Sequence, residues 1–210
     1  MSQIIPAARD DFAMWRLCAL SPIAYLTLGL FGWAVVAGFV PPPPAYLTGE
    51  ELQAHFTENQ TRIRIGLLMA LICQGFYMPF CAVISRLMQT IEGPRGPLSL
   101  IEVMGGVMTV WVGLASIVMW LTASFRPEAR SPEIIQMLYD CGWFIFDTTF
   151  IVTALQFVAI AVCFLKDPRT EPLIPNWLCW FTLVVATMFV PLFLVALFTT
   201  GPFAWHGLIN

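Results

Sequence analysis

The chain has 210 residues, 59% of them hydrophobic and 11% charged, with a formal net charge of −3 and a mean hydropathy of +0.79. A soluble domain carries roughly 25% charged residues, and a water-soluble fold this apolar would expose patches larger than water tolerates. Lipid as solvent removes that conflict, and ten scattered basic residues in a net acidic chain argue against a nucleic-acid partner.

Crossing ~30 Å of hydrocarbon takes about 20 residues, so long uncharged runs are the primary signal. Residues 17–40 form the first such run. Arg9 and Arg16 precede it, a pattern shared with signal peptides, but Val35-Val36-Ala37 is a poor cleavage site and the segment reads as a retained helix. Pro41-Pro42-Pro43-Pro44 stops it, since proline lacks the N–H and fixes φ. That run reads as a stiff spacer, with a PxxP ligand as the alternative. Thr48 and Glu51 predict a capping box opening a short helix through about Gln60, inside an extramembrane segment 41–62.

The second span is predicted at 65–85 with a kink at Pro79, followed by a turn at Gly93-Pro94-Arg95-Gly96-Pro97. The third runs 103–125 with Glu102 at its entrance, the fourth 136–165 and the fifth 177–200, carrying Pro191. From residue 203 the chain is apolar again, predicting either a short interfacial helix or the start of a sixth span. The expected fold class is therefore all-α: a polytopic transmembrane helical bundle of five spans in one integral membrane domain, with the sixth as the alternative.

Alternating the loops across the membrane puts Arg9, Arg16, Arg86, Arg95, Lys166 and Arg169 on one side and Arg62, Arg64, Arg126 and Arg130 on the other. The excess of basic residues on the first side predicts a cytoplasmic N-terminus in a cell (inner or plasma) membrane.

Asp140 and Asp147 lie seven residues apart, on one helical face. The uncharged stretch from Thr148 to Leu165 spans roughly 27 Å at about 1.5 Å per residue, which sets both aspartates at or beyond the outer boundary. The bland expectation is pairing with Arg62 and Arg64; the sharper one is substrate or ion contact at the outer mouth. No charge is expected in the middle of a span, where proton relays and ion-coupled transporters usually carry one. Gln74 and Gln156 should lie at similar depth, and an unpaired amide in lipid costs several kcal/mol. The sequence predicts either a Gln74–Gln156 hydrogen bond or a small polar pocket shared with Tyr77 and Thr153. Gly105, Thr109, Gly113 and Ser116 form a small-residue stripe for close helix packing, within the chain or onto another subunit.

The remaining chemistry is sparse. Six cysteines lie in or beside apolar segments without a C-x-x-C pair, which predicts packing and no metal site. Of two histidines, His55 and His206, neither lies inside a complete span, so haem ligation is not expected. Lys166, the only lysine, sits at a helix end. Asn59-Gln60-Thr61 matches a short sequon close to the membrane. No nucleophile–base pair or phosphate loop appears, so no catalytic residue and no cofactor is expected and the enzyme reading leans negative. Trp15, Trp33, Trp120, Trp143, Trp177 and Trp180 fall near predicted span ends, as interfacial belts do. Two functional classes remain. One is a non-catalytic membrane protein, either an accessory subunit associating with other membrane subunits or with itself, or a binder of a lipophilic molecule. The other is a small transporter or channel using Asp140, Asp147, Arg62 and Arg64.

Overall fold

The computed structural model describes the backbone of residues 9–209 and the side chains of residues 12–209. Arg9, counted above for orientation, therefore has its side chain outside the described residues. Within them the chain is helical, without a strand, and five helical stretches are long and apolar enough to cross a membrane: Phe12–Val36, Gln60–Glu92, Pro97–Phe125, Pro132–Leu165 and Asn176–Leu197.

Helix α1 (Arg9–Ala24) continues through two π-helical turns, Tyr25–Gly29 and Gly32–Val36. It stops short of the expected Val40 because Gly38, at φ 75°, turns the chain out of the helix. The π turns widen the helix where it crosses α3 (Gln60–Gln74). There Gly32 lies against the backbone of Gly66. Helix α2 (Gly49–Glu58) begins with the capping box on Thr48 and Glu51. The Thr48 backbone N–H, and then its hydroxyl, hold the Glu51 carboxyl below the usual range.

The second span breaks between α3 and α4 (Tyr77–Glu92), at Gly75–Phe76. The kink expected at Pro79 thus falls one turn earlier, at the residue whose carbonyl Pro79 has no N–H to reach. The backbone there tightens, with Phe76 N–H bonding Cys73 O at 3.0 Å and Met78 N–H bonding Gly75 O at 3.3 Å. Helix α5 (Pro97–Phe125) starts six residues before the expected boundary. Pro97 at its first turn needs no N–H partner, and the Glu92 carboxylate accepts from the Leu98 and Ser99 N–H groups.

The fourth span is divided into α6 (Pro132–Thr148) and α7 (Ile151–Leu165) by a non-helical step at Thr149–Phe150. Helix α8 (Asn176–Met188) passes into a 3₁₀ segment, Val190–Leu197, which begins beside Pro191. The segment from Phe203 to Ile209 forms turns and no helix, so neither the interfacial helix nor the first turns of a sixth span is present there. Instead it folds back: Trp205 Nε1 donates to Pro43 O at 3.1 Å, and the Ala45 N–H donates to His206 Nδ1 at 3.2 Å.

Contacts between loops identify the two ends of the bundle. At one end Gln53 Nε2 of α2 bonds the carbonyls of Pro127 and Arg130, and the C-terminal turns cover the prolines. At the other, Arg169 pairs with Asp167 and donates to Thr90 Oγ1. The loops therefore alternate between two ends as five crossings require. The small-residue stripe of α5 packs inside the chain: Gly105 against Gln156 and Gly113 against Gln74, with Thr109 hydrogen-bonded to Thr153 at 2.7 Å.

Candidate functional site

Two clusters concentrate the polar and aromatic chemistry of the bundle. The first is a polar knot where α4, α5 and α7 meet. Gly105 lets the backbone of α7 approach closely enough for Gln156 to enter between the helices. The Gln156 oxygen accepts from Tyr77 Oη at 3.2 Å and Thr109 Oγ1 at 3.4 Å. Its Nε2 donates to Cys81 Sγ and to Glu102 Oε1, each at 3.3 Å. The expected Gln74–Gln156 bond is absent, since the Gln156 amide is fully engaged elsewhere while Gln74 rests on Gly113 and pairs with Tyr25.

Glu102, expected at an interface at a helix entrance, is turned into the bundle. Because α5 starts at Pro97, Glu102 lies about 8 Å inside it. The residue is 0% exposed, and its Oε2 has no hydrogen-bond partner. Glutamine there would keep an oxygen for Gln156 and remove a buried ionisable group that has no cation among the described residues. Glu102→Gln is therefore expected to match or exceed the parent melting temperature in detergent. Glu102→Leu should destabilise by about 1–3 kcal/mol, because Gln156 loses its acceptor. A Glu102→Gln variant that melts far below Glu102→Leu would contradict this reading.

The second cluster is an aromatic chamber at the end that carries α2 and the prolines. Tyr139, Trp143 and Phe146 stand at i, i+4 and i+7 on α6 and so share one face. They meet Trp33 from the first span, Phe39 just beyond it, Trp120 of α5 and Trp205 of the C-terminal turns. Ring centroids lie 4.8 Å apart for Phe39–Trp120, 5.0 Å for Trp120–Trp143 and 5.7 Å for Trp33–Phe146, and Trp205 stacks on Trp143 at 6.2 Å. Pro43 O anchors the wall by accepting from Tyr139 Oη and Trp205 Nε1, so the prolyl run is a structural wall as well as a spacer.

A cavity of ≈ 250 Å³ opens among Trp33, Phe39, Trp143, Phe146 and Trp205, with Asp147 and His206 also in its lining. The Nε1 atom of Trp33 is buried without a hydrogen-bond partner, and that of Trp143 is buried beside the Tyr139 hydroxyl. The Tyr139 hydroxyl donates to Pro43 O, and its oxygen is placed to accept from the Trp143 N–H.

The belt expectation therefore divides. Trp15, Trp177 and Trp180 are exposed, as belt residues are, whereas Trp120 and Trp143 are buried and Trp33 joins them in the chamber. A belt and a chamber wall occupy the same depth, and composition alone does not say which way an indole points. The 139-143-146 spacing was the signal available for the inward face.

Of the acidic and basic residues singled out from sequence, Asp147 lines the chamber and is buried, and Asp140 is half-buried on α6. Arg62 and Arg64 do not converge on Asp140. The Arg62 guanidinium lies against Gly38, and that of Arg64 lies over the Phe125 ring at 5.2 Å. Arg169 and Asp167 form an ion pair at 3.0 Å at the other end of the bundle. Burial, with Arg62 adding its charge, holds His55 on α2 below its ordinary pKa. No group of three or more His, Cys, Asp or Glu able to hold a metal occurs among the described residues.

Comparison with known proteins returned no matching family model, no similar curated protein and no similar solved structure.

Proposed function

We propose that the chain is a non-catalytic integral membrane protein that binds a lipophilic small molecule in the aromatic chamber. The observation that carries this reading is a mostly apolar cavity walled by packed indoles, one of which, Trp33, has a buried N–H without a hydrogen-bond partner. A buried donor left unmade costs about 1–3 kcal/mol, and a ligand oxygen removes that cost. The ligand class that fits is a flat apolar body carrying a carbonyl: rings of the wall stack on the body, and an indole N–H donates to the oxygen. The chamber's position at a span end suits a molecule that partitions to the headgroup level.

Acetylnaphthalene and ethylnaphthalene form a matched pair of probes, since both are apolar and ring-sized and only the first carries an acceptor. Acetylnaphthalene is expected to bind the detergent-purified chain about tenfold more tightly by calorimetric titration. Trp33→Phe should bring the two probes close to parity. Equal affinities in the parent protein, or no binding of either, would remove this reading.

The accessory-subunit reading has its own support: the first and fifth spans bury the least of their apolar surface inside the chain. Their exposed rows, Leu17, Leu20 and Ile23 on one and Trp180, Phe181 and Val184 on the other, suit lipid or a neighbouring subunit equally. The transporter alternative draws less support, because the guanidinium of Arg62 lies against Gly38 and that of Arg64 over Phe125, and neither is ion-paired with Asp140. We place the N-terminus in the cytoplasm of a cell membrane on the count of basic residues given above.

A further inference from the structure

We propose that the groove between α1 and α4 holds an acyl chain of one anionic phospholipid, whose phosphate is bound by Arg86. The groove has a volume of ≈ 150 Å³ and is lined by Met14, Trp15, Cys18, Ala82, Val83 and Arg86. Apart from Arg86 its described lining is uncharged, so its floor suits hydrocarbon. It lies at the opposite end of the bundle from the aromatic chamber.

Arg86 is exposed and sits six residues, about 9 Å, inside the end of α4 at Glu92. Its described hydrogen bond runs from Nη1 to the neutral oxygen of Gln89 at 3.0 Å. Among the described residues no carboxylate lies within ion-pair distance of this guanidinium. A guanidinium at headgroup depth has a ready counter-ion in a lipid phosphate, which it can grip through two parallel N–H bonds. Trp15 at the groove's edge is the kind of residue that marks this layer. Arg16, stacked on Phe12 at 4.4 Å, adds positive potential from the next position on α1. Charge complementarity and an apolar floor reached from the bilayer together select a lipid over a free anion.

Native mass spectrometry of the full chain in mild detergent, titrated with dioleoylphosphatidylglycerol or dioleoylphosphatidylcholine, tests this directly. The parent chain is expected to retain one phosphatidylglycerol about tenfold more tightly than phosphatidylcholine. Arg86→Gln should erase the preference. Ala82→Trp, which fills the groove from an exposed position and leaves Arg86 in place, should remove the retained lipid. Equal retention of the two lipids by the parent chain, an unchanged preference in folded Arg86→Gln, or full retention by Ala82→Trp would each overturn the proposal. Should Arg86→Gln fail to fold, Ala82→Trp decides alone.

Discussion

Replacing Trp120 with alanine is expected to destabilise the folded chain by about 3–5 kcal/mol, enough to unfold most membrane bundles of this size on extraction. Trp120 is 0% exposed and stands at the centre of the chamber wall, within 6.5 Å, ring to ring, of Trp33, Phe39, Trp143 and Phe146. Its Nε1 donates to Tyr139 O at 3.2 Å, tying α5 to α6. Alanine removes the ring contacts and leaves a void that its neighbours, themselves locked to Pro43 and to one another, cannot close. Trp120→Phe keeps a ring and should cost markedly less. Thermal unfolding followed by size-exclusion chromatography in detergent ranks the three proteins, and an alanine variant as stable as the parent would contradict the burial assigned to this residue.

Gly66→Val should be at least as damaging, by a different route. A side chain at Gly66 would meet the Gly32 carbonyl and the Ala37 backbone nitrogen of the first span. Backbone atoms cannot rotate aside as a flexible side chain does. In lipid, helices associate through close packing and not through expulsion of water, so losing a backbone-to-backbone approach removes the main attraction between the first span and α3. Overpacking typically costs about 1–3 kcal/mol and more where the neighbour is rigid. The expected result is a first span that separates from the bundle, seen as new protease sensitivity after residue 40. Gly75→Val is the matched control, because a side chain there meets little beyond Ile72 O at 3.9 Å. Equal behaviour of the two variants would sink the explanation.

The spans were legible in the sequence because an apolar run long enough to cross hydrocarbon is a local property that no distant contact needs to complete. The caps were legible for the same reason: Thr48 with Glu51, and the Gly93–Pro97 turn, act within a few residues. Legibility ended where the third dimension decides. Pro79 announced a distortion but not its place, which lies at the carbonyl it fails to satisfy. The step at Thr149–Phe150 has neither glycine nor proline to signal it. Glu102 looked interfacial because the apolar run begins after it, yet the helix itself begins at Pro97 and turns that carboxyl inward. Trp33, Trp120 and Trp143 lie near span ends, but their inward direction was not legible, since a lipid-facing belt and an inward wall have one composition. The polar knot was half visible: Gln156 needed partners, and Tyr77 and Thr153 were named beside it, but Glu102 and Cys81 come from helices whose register only the packed bundle fixes.

Accessibility labelling tests the five-crossing arrangement most directly. In a background where Cys18 and Cys141, the cysteines that are not buried, are replaced, single cysteines are introduced for Glu50 on α2 and for Glu171 in the loop after α7, both exposed. Sealed cells or vesicles are treated with a membrane-impermeant maleimide before and after permeabilisation. The expected result is labelling of one position from outside and of the other only once the membrane is opened, with Glu50→Cys the outer of the two. Labelling of both positions from the same face of an intact membrane would contradict the arrangement.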